Sequence, residues 1–419
     1  MENKNENYKL EMSTCQILIL FLLVVAVIAI LVVVLKRPKT IFPIVPISQA
    51  QSNIIPVSKE PFAKKEMSHY LNVNSTLATE TGQLNASDLG YDEMLEQRRQ
   101  KLIVFNKIRK LVDAPLNSKV ILTSGSTEGI ATCINWAKCY NPFGVVVGSE
   151  FDHEAIEANA KARGMEYVKI CKTSDLPGNS SCIFLTHVNS KNGEIMDKQM
   201  LEFPKSIVTI QRMKSDFEIE SGKPKETTSY PPLIFVDATQ SIGKIPVSMR
   251  ELGANGLMFS LHKLGGPQGL GILVISEPEF SKFVPLIAGK QNDGLRGGTQ
   301  NEQALIENSH IFKLSSFSPD SRKARWLEVR DKLLANNVKL LEPKGDHLYN
   351  TFLVELPLSC PIGFVNALSR KGVYIGTASA CMNERKTKSS SVLVRISFID
   401  PADLDDEAVD IFVNEVKQI

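Results

Sequence analysis

Several things are missing from this 419-residue chain, and each absence narrows what it does. There is no excess of positive charge: Lys+Arg 48 against Asp+Glu 46 leaves a net charge of +2, which argues against nucleic acid as the main partner. There is no CxxC and no paired cysteine framework. The seven cysteines (Cys15, Cys133, Cys139, Cys171, Cys182, Cys360, Cys381) are odd in number and scattered, as suits reduced thiols in a cytosol-like compartment. No zinc-type cluster of ligands is visible in the sequence. The one Gly-rich loop between a strand and a helix pattern, TSGSTEG at residues 123–129, lacks the lysine of a P-loop, which disfavours a nucleoside triphosphate. There is no internal repeat. The length suffices for two domains or one large α/β unit.

Polar side chains are absent from one further stretch. Residues 17–35, ILILFLLVVAVIAILVVVL, contain none, and as a helix they would span roughly 28 Å, about the hydrocarbon thickness of a bilayer. The run is too long for a signal-peptide core and no small-residue cleavage site follows it. The expectation is a polar N-terminal tail at 1–14, a transmembrane helix at 15–36 and a Pro-rich linker at 37–66. Lys36, Arg37 and Lys39 follow the run closely, with Lys59, Lys64 and Lys65 further on. Lys4 and Lys9 precede it, interleaved with Glu2, Glu6 and Glu11. This bias predicts a single-pass membrane protein with its catalytic domain on the cytoplasmic side.

After the linker, strand and helix patterns alternate. Strands are expected over 120–123, 145–148, 167–170, 183–186, 234–236, 256–259 and 271–275, and helices over 127–138 and 153–162. Such alternation predicts a mostly parallel sheet in an α/β fold. The polar insert at 214–230 reads as an exposed loop. A helix at 322–336 and strands at 349–355 and 392–398 read as a smaller α+β domain. The domain expectation is a large domain at 67–300 and a small C-terminal domain at 301–419.

In α/β proteins the chemistry sits where strands end. Asp237 ends one expected strand. Ser260, His262 and Lys263 follow the next and lead into Gly265-Gly266-Pro267. A lysine in such a turn is commonly just solvated, but its neighbours suggest a cofactor held by a pattern of charge. An aspartate facing a pyridinium nitrogen keeps that nitrogen protonated, which is what makes pyridoxal phosphate (PLP) an electron sink. Gln240 can hydrogen-bond the ring oxygen, and Ser260 and His262 can bind a phosphate. The 123–129 loop offers free N–H groups at a helix start, an anion site, although a Ser/Thr helix cap accounts for it equally well. His153 opens a helix, where it serves as a cap or stacks on a ring.

These motifs resemble the NifS-like cysteine desulfurases of the class V PLP-dependent aminotransferase family. The series is TSGSTEG (123–129), the His153 segment, HVNSKNG (187–193), VDATQSIGK (236–244), SLHKLGGPQG (260–269), RGGT (296–299) and ASAC (378–381). Their order and spacing agree with the family over roughly residues 70–398. The resemblance implies the three-layer PLP-transferase fold and the following roles. Lys263 forms the internal aldimine and moves the α-proton. Asp237 pairs with the ring nitrogen, His153 stacks on the ring, and Gln240 contacts its oxygen. Ser126, Thr127, Ser260 and His262 hold the phosphate, and Ser190 contacts the cofactor. Thr299 reaches the phosphate of a partner subunit, which implies a homodimer. Arg395 grips the substrate carboxylate, and Cys381 takes sulfur from L-cysteine as a persulfide, leaving L-alanine and serving a sulfur-acceptor protein.

The chain also departs from the family. Asn189-Ser190 stands where two asparagines are usual, Asn72-Val73-Asn74-Ser75-Thr76 replaces an Ala-Thr-Thr-Pro-type loop, and the connection from Cys381 to Arg395 is short. Selenocysteine lyase or another class V PLP activity is the neighbouring enzyme reading. A degenerate anchored homologue acting as an interaction protein is the alternative from another class. Cys381 favours sulfur or selenium chemistry over amino transfer.

Overall fold

A computed structural model of the chain describes residues 91–204, 206, 231–276, 283–314, 319–358, 361–377, 391–398 and 404–419. The expected tail, apolar run and linker, the 214–230 insert and Cys381 all lie outside the described residues. The described elements belong to the unit His69–Ile419.

Helix α1 (Tyr91–Leu111) leads into strand β1 (Lys119–Thr123) and helix α2 (Ser126–Tyr140). Then come β2 (Val145–Gly148), α3 (Glu154–Ala162), β3 (Tyr167–Lys169) and β4 (Ser180–Thr186). After the insert the chain forms β5 (Leu233–Asp237), α4 (Met249–Leu252), β6 (Gly256–Ser260) and β7 (Gly271–Ile275). These strands make one seven-stranded sheet in the order β1-β7-β6-β5-β4-β2-β3. All neighbours from β6 to β3 pair in parallel; β7 runs antiparallel to both β6 and β1.

The strands are apolar on both faces because both faces are covered. In β5, Leu233 and Phe235 pack with Ile130, Ile134 and Trp136 of α2 and Ile156 of α3, whereas Ile234 and Val236 join Phe105 and Ile108 of α1 and Met249 of α4. Alternate residues of a strand point to opposite faces, so one strand feeds both cores. Each such side chain, fully buried, contributes about 1.5–3 kcal/mol.

Helix α5 (Glu302–Glu307) follows, packing against α1 through a Lys101–Glu302 ion pair of 2.7 Å. The remaining elements are α6 (Pro319–Ala335), β8 (Lys339–Leu340), β9 (Thr351–Leu356), α7 (Ile362–Arg370), β10 (Gly376–Thr377), β11 (Val392–Ser397) and α8 (Asp406–Val416). Here a four-stranded antiparallel sheet, β10-β11-β9-β8, has its own core, in which Trp326, Phe352, Phe364, Val394 and Phe412 meet. Trp326 stacks on Phe352 and its indole N–H donates to the Thr351 carbonyl at 3.0 Å.

The membrane localisation expected from the sequence is corrected. No helix among the described residues is long and apolar enough to cross a membrane, and the run at 17–35 lies outside them.

Candidate functional site

The site is built where β5 and β6 end and α2 begins. The helix α2 starts at Ser126 with Gly125 before it and no side-chain cap, so its first N–H groups are offered outward. The Ser126 N–H donates to Ser260 Oγ at 2.8 Å. The Ser126 hydroxyl lies 2.7 Å from both Ser260 Oγ and Thr239 Oγ1. Three hydroxyls from β6, the β5 end and α2 therefore converge at one helix N-terminus, an arrangement suited to a phosphate. Thr127, the next residue, is exposed.

Close backbone approach makes this possible. A Cβ on Gly271, the first residue of β7, would lie 2.5 Å from Gly125 Cα and 2.7 Å from Thr123 Oγ1. The loop is also tied down from outside. Glu128 accepts from the Ser124 N–H at 2.7 Å and pairs with Arg296 at 3.0 Å. Burial alone would raise the Glu128 carboxyl, but the Arg296 guanidinium and the Ser124 bonds outweigh it and hold the carboxyl below its usual range. Arg296 belongs to the RGGT segment, so that segment anchors the phosphate loop, while Thr299 at its end is exposed.

Asp237, the last residue of β5, is buried. Its Oδ1 accepts from the Thr239 N–H at 2.9 Å. Burial raises its carboxyl above the usual range, while Thr239 and the His153 charge pull it down. His153 N-caps α3, its Nδ1 accepting from the Ala155 N–H at 3.2 Å. Of the two positions expected from the sequence, the helix cap is the one seen, and its bond holds the imidazole at the start of α3. Gln240 is partly buried, and its carbonyl accepts from Lys244 Nζ at 2.7 Å.

Lys263 ends a short turn (Leu261–Lys263) directly after β6. It is partly buried. Burial lowers its ammonium below the usual value and Arg395 adds to this, which favours a nucleophilic amine. His262 is exposed, with its pKa lowered by partial burial and by Lys263. Arg395, on β11, donates from Nη1 to the Ser190 carbonyl at 2.7 Å, so the second sheet reaches the loop after β4. Ser190 meets Arg395 through its backbone, not its hydroxyl. Gly376 of β10 pairs with Arg395.

Four groups at or near the site escaped the sequence reading. Thr239 completes the hydroxyl trio; a hydroxyl two residues past a strand-end Asp was the available signal. Lys244 is pushed down to about 8 by burial and by the nearby Lys263 and Arg322. His187 is buried, its Nδ1 has no partner, and burial pushes its pKa down to about 4; its N–H donates to the Asp237 carbonyl at 3.1 Å. Asp152, just before His153, is hydrogen-bonded by Thr186 and Tyr167. His187 and Lys244 stand at the ends of the HVNSKNG and VDATQSIGK motifs, whereas no sequence pattern marks Asp152.

The arrangement fits PLP. A hydroxyl-lined helix N-terminus suits its phosphate, a buried carboxylate at a strand end suits its ring nitrogen, and a partly desolvated amine one strand away suits its aldehyde.

Comparison with known proteins agrees. Residues 226–307 match the family model described as aminotransferase class-V. The cysteine desulfurase IscS of Dictyoglomus turgidum is 30% identical over 189 residues, 42% of this chain and 48% of that protein, so the match spans about half the length of that relative. IscS of Klebsiella pneumoniae is 24% identical over 315 residues, 71% of this chain and 70% of that one. Among solved structures, a NifS-like protein aligns with a TM-score of 0.60 at 22% identity, over 77% of this chain and 88% of that one. The cysteine desulfurase CsdA of Escherichia coli aligns with a TM-score of 0.58 at 19% identity, over 80% and 88%. The solved structures show the PLP-transferase-like fold, and the sequence matches support a NifS-like, PLP-dependent class V enzyme.

Proposed function

We propose that this chain is a cysteine desulfurase that takes sulfur from L-cysteine onto Cys381 and releases L-alanine. The observation that carries the reading is the convergence of Asp237, Lys263 and the Ser126–Ser260–Thr239 hydroxyls at the ends of adjacent strands.

In this reading Ser126, Thr127, Ser260, His262 and Thr239 hold the cofactor phosphate. Asp237 would meet the ring nitrogen, His153 would pack on the ring, and Gln240 and Ser190 would border it. PLP, when bound, supplies an electron sink for the charge left at the substrate Cα. Lys263 Nζ takes the proton from that carbon. Its lowered pKa makes the free amine available, as a general base requires. Arg395 holds the substrate carboxylate and orients the Cα–H toward Lys263. The Cys381 thiolate then bonds to the substrate sulfur as the substrate C–S bond breaks, and the persulfide passes to an acceptor protein. Thr299, exposed at the end of the anchored RGGT segment, is available to a second copy, in line with a homodimer. A large cofactor-binding domain at 67–300 and a small domain at 301–419 are part of the same proposal.

The test is spectral and chemical. The full chain purified with PLP should show the cofactor's visible band, and Lys263→Ala should lose or shift it. L-cysteine with a thiol should yield sulfide and alanine in equal amounts. A chain with no visible band after added PLP would end the reading; a Cys381→Ala variant that still released sulfide would remove Cys381 from its role.

A further inference from the structure

We propose that Asp152 is a positioning residue whose carboxyl forms one electrostatic unit with Asp237 and so sets the charge that Asp237 presents to a cofactor ring. The inference rests on the role given to Asp237 above.

The fold builds a seat for this carboxyl. Thr186 Oγ1 donates to Asp152 Oδ1 at 2.7 Å, Tyr167 Oη donates to Oδ2 at 2.9 Å, and Ser149 Oγ donates to Oδ1 at 3.3 Å. Gly148, the last residue of β2, has no side chain because Oδ2 and the Tyr167 ring fill the place where a Cβ would go. Three donors from β3, β4 and the segment after β2 therefore close on an otherwise unassigned acid.

The link to Asp237 runs through Thr186. In the parallel pairing of β4 with β5, Thr186 and Asp237 are register partners, so their side chains leave the sheet on the same face. The hydroxyl that binds Asp152 thus stands beside Asp237. The effect on Asp152 is consistent: burial pushes it up to about 6, the Thr186, Tyr167 and Ser149 bonds pull it down, and the Asp237 charge pushes it up again. The ionisable groups facing it are Tyr167 from β3 and Asp237 from β5; His153 acts on Asp237, and Glu157 of α3 and Lys169 of β3 lie beyond Tyr167. Two buried acids in one low-dielectric pocket resist ionising together. A proton on Asp152 makes it easier for Asp237 to stay ionised against a protonated ring nitrogen. Asp152 also precedes His153, so its three bonds steady the turn that carries the ring-packing imidazole.

Two measurements test this on the full-length chain. In the cofactor-free protein, thermal unfolding is followed from pH 4 to pH 8 for the wild type, Asp152→Asn, Asp237→Asn and the double variant. An acid whose pKa is raised in the folded state binds more protons there than when unfolded, so stability falls as pH rises from about 4 to about 6. Subtracting the Asp152→Asn profile from the wild-type profile should show that fall as the Asp152 contribution, and the difference should shrink clearly in the Asp237→Asn background. In the PLP-loaded protein, the pH midpoint of the visible band should shift by at least about half a unit in Asp152→Asn. Tyr167→Phe, which keeps the acid and deletes one donor, should move the Asp152 step upward and serves if Asp152→Asn does not fold. Additive melting effects together with an unmoved spectral midpoint would overturn the proposal, because a merely structural Asp152 would lower stability without moving either pH profile. A wild type without a visible band would remove the cofactor role of Asp237, and the melting series would still decide whether the two acids are coupled.

Discussion

Gly271→Ala should damage the phosphate loop from a position outside it. The added Cβ would lie 2.5 Å from Gly125 Cα, 2.7 Å from Gly125 C and 2.7 Å from Thr123 Oγ1. Carbon atoms rest about 3.5–4.0 Å apart, so the backbone must part by about 1 Å or more. Neither side can yield by rotating a side chain, since two of the three contacts are main chain. Displacing Gly125 moves the Ser126 N–H, whose bond to Ser260 Oγ is 2.8 Å, beyond hydrogen-bond range. The expected cost is about 1–3 kcal/mol in stability, the usual penalty for forcing extra volume into a packed site. PLP affinity should fall at least about tenfold, since a 1.4 kcal/mol loss at the loop suffices for that. Urea unfolding and PLP titration by visible absorbance measure the two effects. Gly363→Ala, in α7 with nothing near its would-be Cβ, is the control and should be neutral or slightly stabilising. If Gly271→Ala bound PLP and unfolded like the wild type, the close approach of β7 to the loop would be wrong.

Two other outcomes follow from groups described above. His187 sits buried with its pKa pushed down to about 4, so the unfolded chain binds the extra proton between about pH 6.5 and 4; its own contribution to stability should drop by up to about 3 kcal/mol as pH falls through that window, opposite in sign to that of Asp152, and the difference between wild-type and His187→Gln urea-unfolding profiles should show it. Glu128→Gln leaves Arg296 facing a neutral group at a site where the two side chains are 9% and 20% exposed, and should cost about 1–3 kcal/mol and loosen PLP binding, with Glu128→Asp recovering part of the loss.

The sheet was legible because its strands are buried on both faces and bounded by polar residues. The expected strands at 145–148 and 271–275 match β2 and β7 residue for residue, and 120–123 falls one short of β1. The direction of β7 was not legible, since antiparallel and parallel central strands carry the same apolar pattern. At the site, Asp237 and Lys263 could be read because charged residues at the ends of apolar runs stand out. Asp152, Thr186 and Tyr167 could not, because their roles arise from register between strands distant in sequence. The run at 17–35 lies outside the described residues, and no helix among those is long and apolar enough to cross a membrane.

Among the described residues the strand β1 sits at one end of the sheet and pairs only with β7, from Lys119↔Ile275 to Thr123↔Gly271. Some 150 residues of chain separate the two strands, so their pairing closes a very long loop and is expected late in folding. The lysine turn lies just before β7 and the phosphate loop just after β1, so the two halves of the cofactor bed meet only when that last seam zips. PLP added to a refolding chain would then gain its colour with the final phase rather than the first, and the cofactor would act as a reporter of completed topology.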